Sequence, residues 1–202
     1  MISKDCGKDK VIALDIGEVC IRIDTQKVLD YFNFKGIDDI RPHAWETFDL
    51  YECGKITISE MCQRLRNELQ LYDYDDERMI KGWNLSVGPE IPQMAEIVDE
   101  LSSLGYRFVY FSNTSEAHIM QVYRKLSFAN LVIGGIFSFD SGVMKPHCKI
   151  YQDFELKYGK PVFYLDDREE NIIAGENRGW TSHLFKSPEA FRDDFFARVH
   201  VN

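Results

Sequence analysis

A chain of 202 residues is long enough to bury a substantial core, either as one domain of ordinary size or as one domain carrying a modest insertion. With 45% hydrophobic and 28% charged residues it has the composition of a soluble globular protein, and its net charge of -9 removes the attraction that dominates binding to a nucleic-acid backbone. A few local cations or a metal can still hold one small phosphate.

Met1 to Lys10 is polar, and the apolar run after it is interrupted by Asp15, Glu18 and Arg22, so neither a signal peptide nor a membrane span is expected. The five cysteines (Cys6, Cys20, Cys53, Cys62, Cys148) are scattered and odd in number, with no C-x-x-C pair, which fits reduced thiols in a cytoplasm. Neither they nor the histidines show zinc spacing.

The first strand candidate, Val11 to Asp15, is an aliphatic run of the kind that makes a fully buried strand, yet it ends in a carboxylate. A buried unpaired carboxylate costs several kcal/mol, so Asp15 either caps a local turn or holds a cation. From Thr25 to Trp83 only helical patterns follow (TQKVLDYFNF, RPHAWETFDLY, TISEMCQRLRNELQ, DDERMIKGW), set off by Gly36, Gly54 and Gly82. They read as a helical insertion after the first strand. Beyond it, strand candidates at Tyr106 to Ser112, Leu131 to Phe137, Pro161 to Asp166 and Thr181 to Phe185 alternate with helical patterns. Those patterns cover Glu90 to Leu104, Ser115 to Leu126, His147 to Lys157, Glu169 to Arg178 and Pro188 to Arg198. Alternation of this kind predicts an α/β fold with a parallel sheet and helices on both faces.

Ligands of such sheets bind beyond the carboxyl ends of the strands. There the sequence delivers Asp15, then Ser112-Asn113-Thr114, then Asp166-Asp167, with Lys145-Pro146 between the third core strand and the next helix. Each has a plain structural reading: a turn or helix cap for Asp15 and Ser112 to Thr114, a solvated lysine, an acidic helix start. Their joint occurrence at strand termini points instead to a site.

In this order, and with Asn171, these residues resemble the four motifs of the haloacid dehalogenase superfamily over Lys10 to about Phe185. The stretches DIGEVCIRID, FDLYECGKIT, Gly82-Trp83, SNTSEAH, MKPHCKIY and YLDDREENIIAGENRG are similar to the subgroup that contains bacterial α-D-glucose-1-phosphate phosphatase. The resemblance implies a Rossmann-like core built from 1–24 and 84–202, with a small four-helix cap over 25–83. It implies a Mg²⁺-dependent phosphatase acting on a small sugar phosphate such as glucose 1-phosphate. Asp15 is then the nucleophile that becomes an aspartyl-phosphate. Mg²⁺ is held by Asp15, the Gly17 carbonyl and Asp167, with Asp166 and Asn171 supporting them. Ser112, the Asn113 backbone and Lys145 bind phosphate, and His118 touches the substrate or the cap. The expected partner is this small phosphate ester alone, on a monomer or weak dimer.

Most phosphatases of the superfamily carry a general acid two residues after the nucleophile, a position filled here by Gly17. The glucose-1-phosphatase subgroup shares the glycine, and an anomeric leaving group needs an acid less. Glu18, Asp24 and His118 are candidate replacements, each with a structural alternative. Trp45, Phe48, Tyr51, Glu52 and Trp83 are candidates to shape a sugar pocket or to pack the cap. Gly17 also admits a 2-haloacid dehalogenase-like hydrolase, and a non-catalytic phosphate- or partner-binding protein is the further alternative.

Overall fold

Val11–Leu14 (β1) lies at the centre of a parallel sheet and is buried along its whole length, as its uninterrupted aliphatic character requires. The computed structural model describes residues 10–199; Cys6 and the other residues before Lys10 lie outside them. β1 pairs on one side with Arg107–Ser112 (β4), which pairs with Val132–Phe137 (β5). On its other side it pairs with Phe163–Asp166 (β6), which pairs with Ser182–Leu184 (β7). The order β5-β4-β1-β6-β7 reverses direction beside β1, and the crevice at such a reversal is where α/β sheets take ligands.

Alternate residues of each strand feed two cores. Ile12, Leu14, Phe108, Tyr110, Phe163 and Leu165 pack under Met94–Ser103 (α5), Glu116–Lys125 (α6) and Pro188–Arg198 (α10). Val11, Ala13, Val109, Phe111 and Tyr164 pack under Cys148–Tyr158 (α8) and Glu169–Asn177 (α9). This is the period of two that a pleated strand imposes.

The insertion forms four α-helices, Thr25–Tyr31 (α1), Pro42–Glu52 (α2), Ile58–Glu68 (α3) and Asp76–Asn84 (α4), around an apolar cluster of their own that includes Met61, Cys62, Leu65 and Met79. Capping residues start three of them: Asp24 before α1, Thr57 with Glu60 in a reciprocal capping box before α3, and Asp75 before α4. We refer to these helices as the cap.

Two readings change. Glu90 to Leu104 is not all helical: Val87–Glu90 (β3) pairs antiparallel with Ile21–Ile23 (β2), and the helix begins only at Met94, because Pro92 and a left-handed Gln93 (φ 71°) intervene. This ribbon carries the chain into and out of the cap. Gly82 does not separate elements but sits inside α4, where a Cβ would fall 2.3 Å from the Phe32 ring. Close approach of α1, not chain reversal, is what glycine serves there. Among the described residues no helix is long and apolar enough to cross a membrane.

Candidate active site

At the carboxyl edge of the sheet, Lys145 is 4% exposed and its ammonium donates to Asp15 Oδ1 at 3.0 Å, to Asp166 Oδ2 at 2.5 Å and to the Phe111 carbonyl at 2.7 Å. All three of its protons are therefore placed. Burial opposes the charge, but Asp15 and Asp166 outweigh it and lift the lysine above its ordinary pKa. The lysine is held in place by Asn113, whose amide donates to the Lys145 carbonyl at 3.0 Å and accepts from the Lys145 N–H at 2.7 Å. The side chain of Asn113 is thus committed to positioning.

Asp166 is fully buried and saturated. It accepts from Lys145 and Tyr164 (2.6 Å) on Oδ2, and from the Arg168 N–H (3.0 Å) and Asn171 (2.9 Å) on Oδ1. Tyr164 did not stand out in the sequence, although it lies two residues before Asp166 on the same strand and therefore on the same face. Its buried hydroxyl would lose about 1–3 kcal/mol without a partner, and Asp166 supplies one.

Asp15 is 7% exposed. Burial pushes its pKa up, Lys145 pulls it down and Asp166 pushes it up, leaving it at about 7. Its backbone is tied by its N–H to the Leu165 carbonyl (3.0 Å) and by its carbonyl to the Cys20 thiol (3.1 Å). Asp167 is exposed at the cleft, its pKa raised by partial burial and by Asp166. Carboxylate oxygens of Asp15, Asp166 and Asp167 approach within 4.8 Å of one another. Since Asp166 has no acceptor capacity to spare, Asp15 and Asp167 are the pair free to take a cation, beside Gly17 in the same cleft. The Asn171 side-chain oxygen is buried there without a hydrogen-bond partner among the described residues. A set of hard oxygen donors suits a hard divalent ion.

Ser112, 3% exposed, is on the cleft wall, and among the described residues its hydroxyl makes only a long contact to the Asn113 carbonyl at 3.4 Å. His118 stands apart from this cluster. It stacks on Trp83 (4.6 Å, 15°), which stacks on Phe48 (4.4 Å, 10°), so three rings run from α6 into the cap. Its Nε2 lies 3.2 Å from the Trp83 carbonyl and 3.2 Å from the Ser86 hydroxyl, and burial lowers its pKa to about 4, so the ring is neutral. Glu18 accepts from the Ile23 N–H (2.6 Å) and Arg22 (2.9 Å), and Asp24 caps α1. All three candidate acids are thus engaged in holding the β2 and cap junction.

Next to the acidic cleft is a second, mainly apolar chamber between core and cap, walled by Ile16, Ile23, Trp45, Phe48 and Trp83, with His118 and Glu52 among its few polar groups. Tyr51 is buried in the cap cluster and is not part of this wall.

Neither a protein-family model nor a curated protein matches the chain. Solved structures do. HAD family enzyme BT-2542 of Bacteroides thetaiotaomicron superimposes with a TM-score of 0.80 at 20% identity, over 94% of this chain and 98% of that one. Its wild-type complex with magnesium and inorganic phosphate matches at 0.73 and 22%, over 89% and 95%. The chain has the fold of haloacid dehalogenase (HAD) family enzymes. A predicted HAD-like hydrolase of Porphyromonas gingivalis matches at 0.70 and 19% identity, over 96% and 100%. L-2-haloacid dehalogenase of Xanthobacter autotrophicus matches at 0.62 and 16%, over 95% and 84%.

Proposed function

We propose that this protein is a Mg²⁺-dependent phosphatase that hydrolyses a small phosphate monoester through an aspartyl-phosphate on Asp15. The observation that carries the reading is the buried lysine shared by Asp15 and Asp166, set beside an open Asp167 and a nearly unengaged Ser112 hydroxyl. Phosphate esters repel nucleophiles, so an enzyme must neutralise the phosphoryl oxygens and aim its attacking group.

Lys145 holds Oδ1 of Asp15, leaving Oδ2 to attack phosphorus. The same ammonium offsets charge on the phosphoryl oxygens, and Ser112 and the Asn113 backbone offer hydrogen bonds to them. Water then opens the aspartyl-phosphate, so one difficult displacement becomes two easier ones. Asp15, Asp167 and the Gly17 carbonyl are the residues that would hold Mg²⁺, which supplies further neutralisation of phosphate charge when bound. The complex of BT-2542 with magnesium and inorganic phosphate supports Mg²⁺ as the cation.

The organic half of the substrate falls in the apolar chamber. The rings of Trp45, Phe48 and Trp83 suit the C–H faces of a sugar, and with the sequence resemblance this supports a sugar phosphate such as glucose 1-phosphate. A second reading rests on Gly17 and on the fold shared with L-2-haloacid dehalogenase: attack by Asp15 on carbon, which needs neither acid nor metal.

Phosphate release from sugar, alkyl and aryl phosphates, each with Mg²⁺ and with EDTA, tests the proposal. Mg²⁺-dependent release is expected, abolished by Asp15→Asn in a folded protein. Release that persists in Asp15→Asn would overturn the nucleophile assignment, and halide release in EDTA would favour the second reading.

A further inference from the structure

We propose that Glu52, carried to the site by the cap, is the general acid and then the general base of this reaction, in place of the carboxylate absent at position 17. The inference rests on the phosphatase reading above and adds to it a residue from a different part of the chain.

The acidic cleft and the apolar chamber share a wall made by Gly17, Ile23, Glu52, Ser112 and Asn113. With the phosphoryl group at Asp15 and the organic group in the chamber, the bridging ester oxygen has to cross that wall. Glu52 is the one residue of the five with an acidic side chain. Its carboxyl has no hydrogen-bond or ion-pair partner among the described residues, unlike Glu18, Asp24 and Asp166.

Its backbone is fixed. The Ser138 hydroxyl, in Ser138–Ser141 (α7) of the core, donates to the Glu52 carbonyl at 2.6 Å and accepts from the Thr114 N–H at 2.9 Å. Two residues on, Gly54 abuts the Phe139 carbonyl. The tip of the cap is thereby docked beside Thr114, just past the phosphate-facing Ser112. A Cβ at position 17 would meet the Ile23 side chain at 3.4 Å, an ordinary contact, so close approach of backbone does not demand glycine there, and its lack of a side chain leaves the wall open to Glu52.

Part of Glu52 faces the cavity, yet protein surrounds the carboxyl on most sides. Burial and Asp49 on its own helix raise its pKa to about 7. From the core, Asp15, Glu18, Lys145, Asp167 and Arg168 line the same cleft, and His118 in the chamber wall is neutral. A carboxyl near neutrality is available in both protonation states at the pH of use.

In the first step Asp15 Oδ2 bonds to phosphorus and the bond from phosphorus to the ester oxygen breaks. The leaving oxygen keeps the electron pair and takes the proton of Glu52, releasing an alcohol. In the second step the Glu52 carboxylate takes a proton from water as its oxygen attacks phosphorus, freeing Asp15 and inorganic phosphate. Glu52 ends protonated, as it began.

The test is Glu52→Gln and Glu52→Ala, assayed with an alkyl phosphate, whose leaving group is basic, and with p-nitrophenyl phosphate, whose leaving group needs no proton. Circular dichroism and thermal melting check the fold of each. Loss of a general acid predicts a fall in kcat of roughly 10²–10⁴-fold on the alkyl ester, and a fall of under about tenfold on formation of the aspartyl-phosphate from the aryl ester, read as the p-nitrophenol burst. A p-nitrophenol burst slowed as much as kcat on the alkyl ester in folded protein, or no loss of kcat on the alkyl ester, would overturn the proposal. A wild-type protein that releases phosphate from neither ester would instead overturn the phosphatase reading, and the proposal with it.

Discussion

Lys145 shows how much a single residue does in this site. Two carboxylates of 7% and 0% exposure share it, and without it they would face each other across a few ångströms with no counter-charge. Removing one member of a buried ionic cluster costs about 3–5 kcal/mol, far more than an exposed pair is worth. Lys145→Met, close in length but uncharged, is therefore expected to lower unfolding free energy in urea by about that amount. Its deficit should also depend on pH in a defined direction. With the lysine gone, the carboxyl of Asp15 loses the charge that pulls its folded pKa down and stands further above its unfolded value, so the folded state binds more protons and stability falls as pH rises. The deficit should be small in acid, below the ordinary carboxylate range, and grow through and above it. A pH-independent deficit would mean that lost packing, not unpaired charge, is what the lysine prevents.

At the scale of elements, the docking of α2 against α7 is the joint on which the cap depends. Gly54, just past α2, has φ 63°, and a Cβ there would lie 2.2 Å from the Phe139 carbonyl oxygen. Backbone on both sides leaves no flexible side chain to give way. Gly54→Ala is expected to lose about 1–3 kcal/mol and to cut kcat at least tenfold by shifting the cap tip, while Gly36→Ala, with nothing within 4 Å, changes neither. Equal kinetics for the two variants would show that the joint does not position the site. The same contrast explains what could be read from the chain. β1, β4 and β6 are continuous apolar runs ending in polar residues, so their strand nature and the meeting of Asp15, Ser112 and Asp166 at one edge were legible. β2 and β3 were not, being three and four residues long and interrupted by Gly88 and Pro89, which favour irregular chain unless a partner strand is supplied. The saturation of Asp166 by Tyr164 was half legible from strand alternation. The docking of Glu52 beside Thr114 was not, because it runs through Ser138, which is 86 residues from Glu52 in sequence.

For the whole molecule, the acidic cleft is both a site and a liability. A net charge of -9 already disfavours compaction, and the cleft adds carboxylates of Asp15 and Asp167 whose pKa values burial raises. A cation bound there would couple to the sheet, because its proposed ligands follow two adjacent strands, Asp15 after β1 and Asp167 after β6, and Lys145 ties Asp15 to Asp166 next to Asp167. An ion that binds only the folded state stabilises it by about 2.7 kcal/mol at a hundredfold excess over its Kd. For a chain of this size each kcal/mol moves the melting temperature by about 2–4 °C, so saturating Mg²⁺ should raise it by about 5–10 °C. Simple screening of repulsion would give the same rise with potassium chloride at matched ionic strength, whereas a site would not. Asp167→Asn removes the exposed carboxylate proposed to bind the ion without touching the buried array, and it should abolish the Mg²⁺-specific rise while leaving the melting temperature in potassium chloride unchanged or slightly higher. A rise of equal size in Asp167→Asn would place the stabilising ion elsewhere on this acidic surface, and would detach the metal from the two carboxylates that the sheet brings together.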